Sequence, residues 1–189
     1  TRNDLRVTGV EHKLGIHASP TCVLAFGEEG DCVGELIGPE FGGMRAMFTM
    51  MNNARLGVGV QGISVAEAAY QAALGYAMDR KQGRTPLGAG AIIDHADVRR
   101  MLAEMKAEVF AARSIALACA VALDMGRATG DAAWAARAAF LTPIAKAYGT
   151  DIGNEVAYLG VQVHGGMGFI EENGAAQYSR AVRVTSIYA

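Results

Sequence analysis

Cysteine is scarce in this chain, and its three copies, Cys22, Cys32 and Cys119, lack C-x-x-C spacing. An odd, scattered set indicates neither a disulfide framework nor a zinc site, and fits a reducing, cytoplasmic setting. An excess of one charge is also missing: 17 Lys and Arg stand against 19 Asp and Glu, a formal net charge of -2. Such a balance carries no electrostatic argument for nucleic acid or an anionic membrane. Over half the residues are apolar, yet no run approaches the roughly 20 uninterrupted apolar residues of a membrane span. P-loop, G-x-S-x-G and H-E-x-x-H motifs are absent. So are internal repeats, low-complexity tails and a signal-peptide pattern at Thr1-Arg2-Asn3-Asp4. The chain has 189 residues and opens without Met. That length suits one or two domains, and the abrupt opening reads as a fragment.

What is present divides in two. Residues 1–40 hold three short β-type runs, 5–10, 21–26 and 32–37, punctuated by Gly, Pro, Ser and Asp. Three strands are too few for a sheet with two buried faces, so they read as the tail of an incomplete β domain. Residues 41–189 read as helical. One run carries Met44, Met47, Phe48 and Met51 through to Arg80, with the methionines expected as core filling. Gly83–Gly88 breaks it. Asp94 is the expected N-cap of the next run, which ends near Gly126–Gly130. Asp131 caps a third, from Ala132 to His164, with Pro143 inside it as an expected bend. A last helix spans about Asn173 to Ser186. Long helices on short connections predict a mainly α, antiparallel bundle, and the alanines from Ala111 to Ala122 predict close helix approach.

Several clusters carry chemistry. Asp79-Arg80-Lys81-Gln82-Gly83-Arg84 sets three cations at a helix end. They complement the helix dipole, and an Arg there can also clamp a phosphate with bidentate donors. Asn52 and Arg55 can cap a helix or bind a polar ligand. His12, His17, His95 and His164 show no metal-ligand spacing and read as surface or packed histidines; no metal site is expected. Gln162-Val163-His164-Gly165-Gly166-Met167-Gly168-Phe169 ends a long helix in glycines. That is a C-cap and turn, or a place where bare backbone meets something flat or anionic.

Taken in order, these pieces resemble the acyl-CoA dehydrogenase family over essentially the whole chain. Glu11–Cys22 (EHKLGIHASPTC) is similar to its K-x-G-x-x-x-S-P/x-T stretch in the middle β domain. Ala54–Gly59 (ARLGVG) resembles the opening of the C-terminal helical domain, Tyr76–Gly83 (YAMDRKQG) its Y-A-x-x-R element, and Gln162–Phe169 its Q-x-x-G-G-x-G-F element. The resemblance implies an FAD-dependent α,β-desaturase of acyl-CoA thioesters, a homodimer or homotetramer with an electron-transfer flavoprotein as acceptor. It implies that Arg80 and Gln82 reach the diphosphate of the neighbouring subunit's FAD. Gln162, Gly165 and Gly166 line its adenosine diphosphate part. Asn52, Arg55 and Tyr188 fall near the thioester end. Many members have Asp where Asn52 stands, and Ala96 stands where many carry a flavin-side Gln.

The family's catalytic base is usually the Glu after Tyr in I-Y-E-G-T. Here Ala189 follows Ile187-Tyr188, and the spacing from Gln162 needs no gap. Ala189 thus takes the base position without a side chain to accept the α-proton, although its backbone N–H can still hold the thioester carbonyl. Loss of a general base costs about 10²–10⁴-fold. An inactivated variant, a truncated or misread end, or a base placed elsewhere in the helical domain would each explain Ala189, the first two ahead of the third. The chain alone is expected to be inactive. The alternative is a catalytically silent FAD-binding or structural partner subunit. The wording TMMNNARLGVG leans towards the subgroup with longer subunits, some of whose members act on methylthiopropionyl-CoA.

Overall fold

The computed structural model describes residues 2–88 and 90–188. It divides into two compact units, Thr1–Met50 and Met51–Ala189, with the division inside the first long helix.

The first unit carries an antiparallel hairpin of β1 (Leu5–Val10) and β2 (Cys22–Phe26), with a register shift between Val7 and Gly9. Asp4 organises its end: Oδ2 accepts from the N–H groups of Glu29 (2.7 Å) and Gly30 (3.0 Å). The expected third strand at 32–37 does not form; these residues have no ladder partner. Val33 is held instead by the Asn3 side chain, which donates to its carbonyl and accepts from its N–H at 2.8 and 3.1 Å. A side-chain amide has satisfied the backbone groups that a neighbouring strand would have needed. Apolar residues of both strands, including Val7, Val23 and Phe26, stay exposed. A lone two-stranded hairpin buries too little to be stable by itself.

The helical bundle consists of α1 (Gly43–Asp79), α2 (Ala96–Thr129), α3 (Ala132–His164) and α4 (Ala175–Arg183). Met44, Met47 and Met50, expected as core filling, are exposed on α1, and Met51 is half-buried. Helical period marks a shared face, but says nothing of whether that face is covered. Asp94 is not the N-cap of α2. It closes a single 3-10 turn, Ile92–Asp94, and His95 takes the cap position without a side-chain bond. Asp131 does cap α3, accepting from the N–H of Ala133 at 2.9 Å. Gly130 ends α2 in the left-handed region at φ 68°. α3 runs through Pro143 as one helix; the Thr142 hydroxyl bonds back to the Ala138 carbonyl at 2.7 Å. The predicted terminal helix is three pieces, with 3-10 turns at Glu171–Asn173 and Val184–Ser186 flanking α4.

α2 is antiparallel to both long neighbours. Arg113 pairs with Glu67 of α1 at 2.7 Å. Towards α3, the Cys119 thiol donates to Thr142 Oγ1 (3.4 Å) and Tyr148 donates to Glu108. Successive long helices are antiparallel, as expected, and α1 and α3 therefore run parallel. They touch backbone to backbone. A Cβ placed on Gly62 would lie 2.3 Å from the Gly149 carbonyl oxygen, and one on Gly59 2.7 Å from that of Ala145. Only glycine permits this approach. The core is correspondingly small-grained: Ala66, Ala73, Ala77, Ala112 and Ala122 are buried beside Met105, Val109 and Val156. By length and composition α2 could cross a membrane. In the fold one of its faces packs into the bundle, while Phe110, Leu117 and Val121 stay exposed.

Two outcomes follow from this packing. Gly62→Ala should destabilise the chain by about 1–3 kcal/mol through overpacking. Gly75→Ala, on the same helix with nothing within 4 Å of the new methyl, should stabilise it by about 0.5–1 kcal/mol. Denaturant unfolding midpoints separate them. The second concerns Tyr148, whose bond to Glu108, reinforced by burial, pushes its phenol up to about 12 from 10.0. The folded state then holds its proton more tightly than the unfolded state. That stabilisation should be whole below pH 10 and lost as pH rises towards 12. Tyr148→Phe should flatten the stability profile across this window.

Candidate functional site

The C-terminal ends of α1 and α3 lie together. The ring of His164 stacks on Tyr76 with centroids 4.4 Å apart and planes at 29°. His164 is buried, and its Nδ1–H donates to the Gly160 carbonyl at 2.7 Å. Arg80 comes one turn after Tyr76, and its carbonyl accepts from the Ile92 N–H at 2.7 Å. Gln82 is fixed through its carbonyl, which accepts from His95 Nε2–H at 3.0 Å, and Gly83 turns the chain at φ 73°. The side chains of Arg80 and Gln82 stay exposed, 3.3 Å apart between Nη2 and Oε1. Among the described residues, Arg80 has no carboxylate partner.

α3 stops at Gly165, whose φ of 59° and ψ of −139° belong to a region that glycine alone visits readily. A 3-10 turn, Gly165–Phe169, follows. Gly168 is required by space, since a Cβ there would come 2.4 Å from the Val161 carbonyl oxygen. Gly165 and Gly166 face open space instead. Gln162, Gly165 and Gly166 are all exposed. Arg80, Gln82, Gln162 and the two glycines therefore share one end of the bundle. A guanidinium without a competing carboxylate, two amides and bare backbone suit a diphosphate joined to a flat base.

The second predicted group lies elsewhere. Asn52 and Arg55 are one turn apart on α1, with Arg55 Nη1 3.5 Å from Asn52 Oδ1. From Asn52 to the end of α1 is about 40 Å at 1.5 Å per residue. The two groups cannot contact one small ligand on one chain. Tyr188 does come to α1. Its hydroxyl donates to Gln61 Oε1 at 2.6 Å, about two turns beyond Arg55. Gln61 was missed by sequence reasoning, because one exposed amide inside a long helix gives no signal before its partner is known. Ala189 lies outside the described residues.

The carboxylates on α1 are Glu67 and Asp79. Glu67 faces α2, where hydrogen bonds from Gln71 (2.8 Å) and Arg113 (2.7 Å) hold it below the ordinary carboxylate range. Beside it an apolar groove of about 450 Å³ runs between Leu56, Val60 and Ile63 of α1 and Ala116, Leu117 and Ala120 of α2. No predicted site residue lines it.

Residues 42–189 match the family description "Acyl-CoA dehydrogenase, C-terminal domain". The chain is 47% identical over 194 residues to 3-methylmercaptopropionyl-CoA dehydrogenase of Ruegeria pomeroyi, an alignment covering 99% of this chain and 32% of that protein. Butyryl-CoA dehydrogenase of Megasphaera elsdenii superposes with a TM-score of 0.80 at 28% identity, over 97% of this chain and 44% of that one. A chain from a structure of the electron transferring flavoprotein of Acidaminococcus fermentans gives 0.82 at 28% identity, covering 97% and 45%. The chain thus spans about a third of the length of the curated relative from Ruegeria pomeroyi. With the helical bundle, the glycine turn at the end of α3 and a family match over 148 of 189 residues (42 through 189), this chain belongs to the acyl-CoA dehydrogenase family.

Proposed function

We propose that this domain serves an FAD-dependent dehydrogenase of acyl-CoA thioesters, and that the Arg80 end of the bundle binds the diphosphate of FAD. The exposed, carboxylate-free guanidinium of Arg80 beside an open glycine turn carries the reading. Arg80 and Gln82 would hold the phosphates, while Gln162 and the bare backbone at Gly165 and Gly166 would meet the adenosine part. Bound FAD would supply the hydride acceptor for the β-hydrogen of the thioester.

Asn52, Arg55 and Tyr188 would hold the thioester end of the substrate, with the backbone N–H of residue 189 donating to its carbonyl. Since the two groups stand about 40 Å apart on one helix, each would serve a different flavin, which calls for a second subunit. The relative named for 3-methylmercaptopropionyl-CoA, at 47% identity, favours a short, thioether-bearing acyl chain. The electron transferring flavoprotein structure among the neighbours favours such a protein as electron acceptor. The free thiols of Cys22, Cys32 and Cys119 suit a reducing, cytoplasmic setting.

Ala189 favours a second reading, a subunit that binds FAD without oxidising substrate. A base borrowed from α1 gains no support, because Glu67 is engaged with Arg113 on the α2 side.

The full-length protein containing this chain decides the matter. FAD should co-purify, and Arg80→Ala should weaken its affinity about tenfold or more, as expected for a lost charge-assisted bond. Anaerobic addition of short acyl-CoA thioesters should then bleach the flavin. Bound FAD that no thioester bleaches would establish the silent subunit. Flavin-free protein, or FAD retention indifferent to Arg80→Ala, would overturn the cradle.

A further inference from the structure

We propose that Gln61 is a positioning residue that holds Tyr188 in place for the thioester end of the substrate, acting through the Tyr188 hydroxyl; the inference rests on the function proposed above.

The segment after α4 is anchored in stages. Val182 is fully buried, and it fills the space that a side chain on Gly153 would occupy, since a Cβ there would meet Val182 Cγ2 at 2.8 Å. Thr185 is buried next, its hydroxyl donating to the Val182 carbonyl at 2.7 Å. Ser186 is held from two sides, by Arg183 Nη1 at 2.9 Å and by Asn154 Nδ2 of α3 at 3.4 Å. Beyond Ser186 the packing ends. Ile187 is 68% exposed and Tyr188 39% exposed.

From there hydrogen bonds decide the direction. The Tyr188 N–H reaches back to the Val184 carbonyl at 3.2 Å, which continues the local turn and leaves the side chain free to swing. The long-range restraint is the phenol bond to Gln61 Oε1, 2.6 Å across 127 residues of sequence. Gln61 is well placed to give it. Its neighbour Gly62 is locked against α3, so the helix beneath the amide is rigid. An exposed bond of this kind contributes little to global stability, because water would replace it. It does choose one orientation of the Tyr188 ring and backbone over the others. Tyr188 is one of the residues proposed to hold the thioester end, and groups that position a reacting substrate lose much of their effect when displaced by about 1 Å. A Leu at 61 keeps bulk and helix propensity and removes the acceptor. A Glu keeps an acceptor for the phenol.

The flavin-loaded full-length protein tests this with Gln61→Leu, Gln61→Glu and Tyr188→Phe, and with the Gln61→Leu/Tyr188→Phe pair. FAD content and unfolding midpoint should match the wild type in all of them. If the wild type turns over, kcat should fall about tenfold to a hundredfold in Gln61→Leu and in Tyr188→Phe, with less change in KM. The pair should be no worse than either single change, and Gln61→Glu should recover most of the loss. If the wild type binds FAD without turnover, the same pattern should appear in the acyl-CoA concentration needed to shift the flavin absorption band. A Gln61→Leu protein that matches the wild type in these readouts, or that loses activity only along with its unfolding midpoint, would overturn the role of Gln61 and leave the FAD reading intact. A wild type that carries no FAD would overturn that reading, and this inference with it.

Discussion

The backbone contact between α1 and α3 is the constraint on which the bundle depends. Two helices can approach until a carbonyl of one meets the Cα of the other only where at least one of them has a glycine at the crossing. Gly59, Gly62, Gly149 and Gly153 provide that seam. Once it closes, the remaining geometry has little freedom. α1 and α3, each antiparallel to α2, run parallel, with Gly59 beside Ala145, Gly62 beside Gly149 and, further along, Ala69 beside Gly160. Their C-terminal ends then coincide, and Tyr76 meets His164. The same seam leaves room on its flank for Val182, which seats the terminal segment. A tight crossing that looks purely structural thus locates both groups of candidate site residues.

Packing, rather than charge, carries this arrangement. The side-chain ion pairs are at least partly exposed: Arg100 with Asp97 and Glu104, Arg6 with Glu28 and Glu29, Arg113 with Glu67, and Arg180 with Glu171. Exposed pairs contribute about 0–1 kcal/mol each. The buried polar groups are few, and each finds a close partner. Thr142 and Thr150 bond back to their own helix, and the Cys119 thiol donates to Thr142. Leaving such groups unsatisfied costs about 1–3 kcal/mol each. The exposed guanidinium of Arg80 meets the Gln82 side chain and, among the described residues, no carboxylate.

Much of the fold was legible because helix ends are written locally. Asp131 caps α3 and Gly130 ends α2 because each requirement is met within a few residues. Asp94 misled for a related reason. A good cap residue stood one position early, and the 3-10 turn at Ile92–Asp94 used it instead. The third strand misled because β-type residues need a partner edge, and Asn3 satisfied Val33 in its place. The exposed methionines of α1 show the limit of periodicity: it tells which residues share a face, not what covers that face.

The sequence by itself determined the helical class, the lengths of α2 and α3 and the order of motifs that marks the family, because these depend on neighbours along the chain and on residue identity. It also contained Arg80, Gln82, Gln162 and the glycine pair as candidates, since their chemistry is visible without coordinates. Only the tertiary structure decided that α1 and α3 touch backbone to backbone, that Arg80 and Gly165 share an end of the bundle, and that Gln61 holds Tyr188. These are relations between residues far apart in sequence. They follow from which helix faces fit closely enough to exclude everything between them, and a single strand of text does not record that fit.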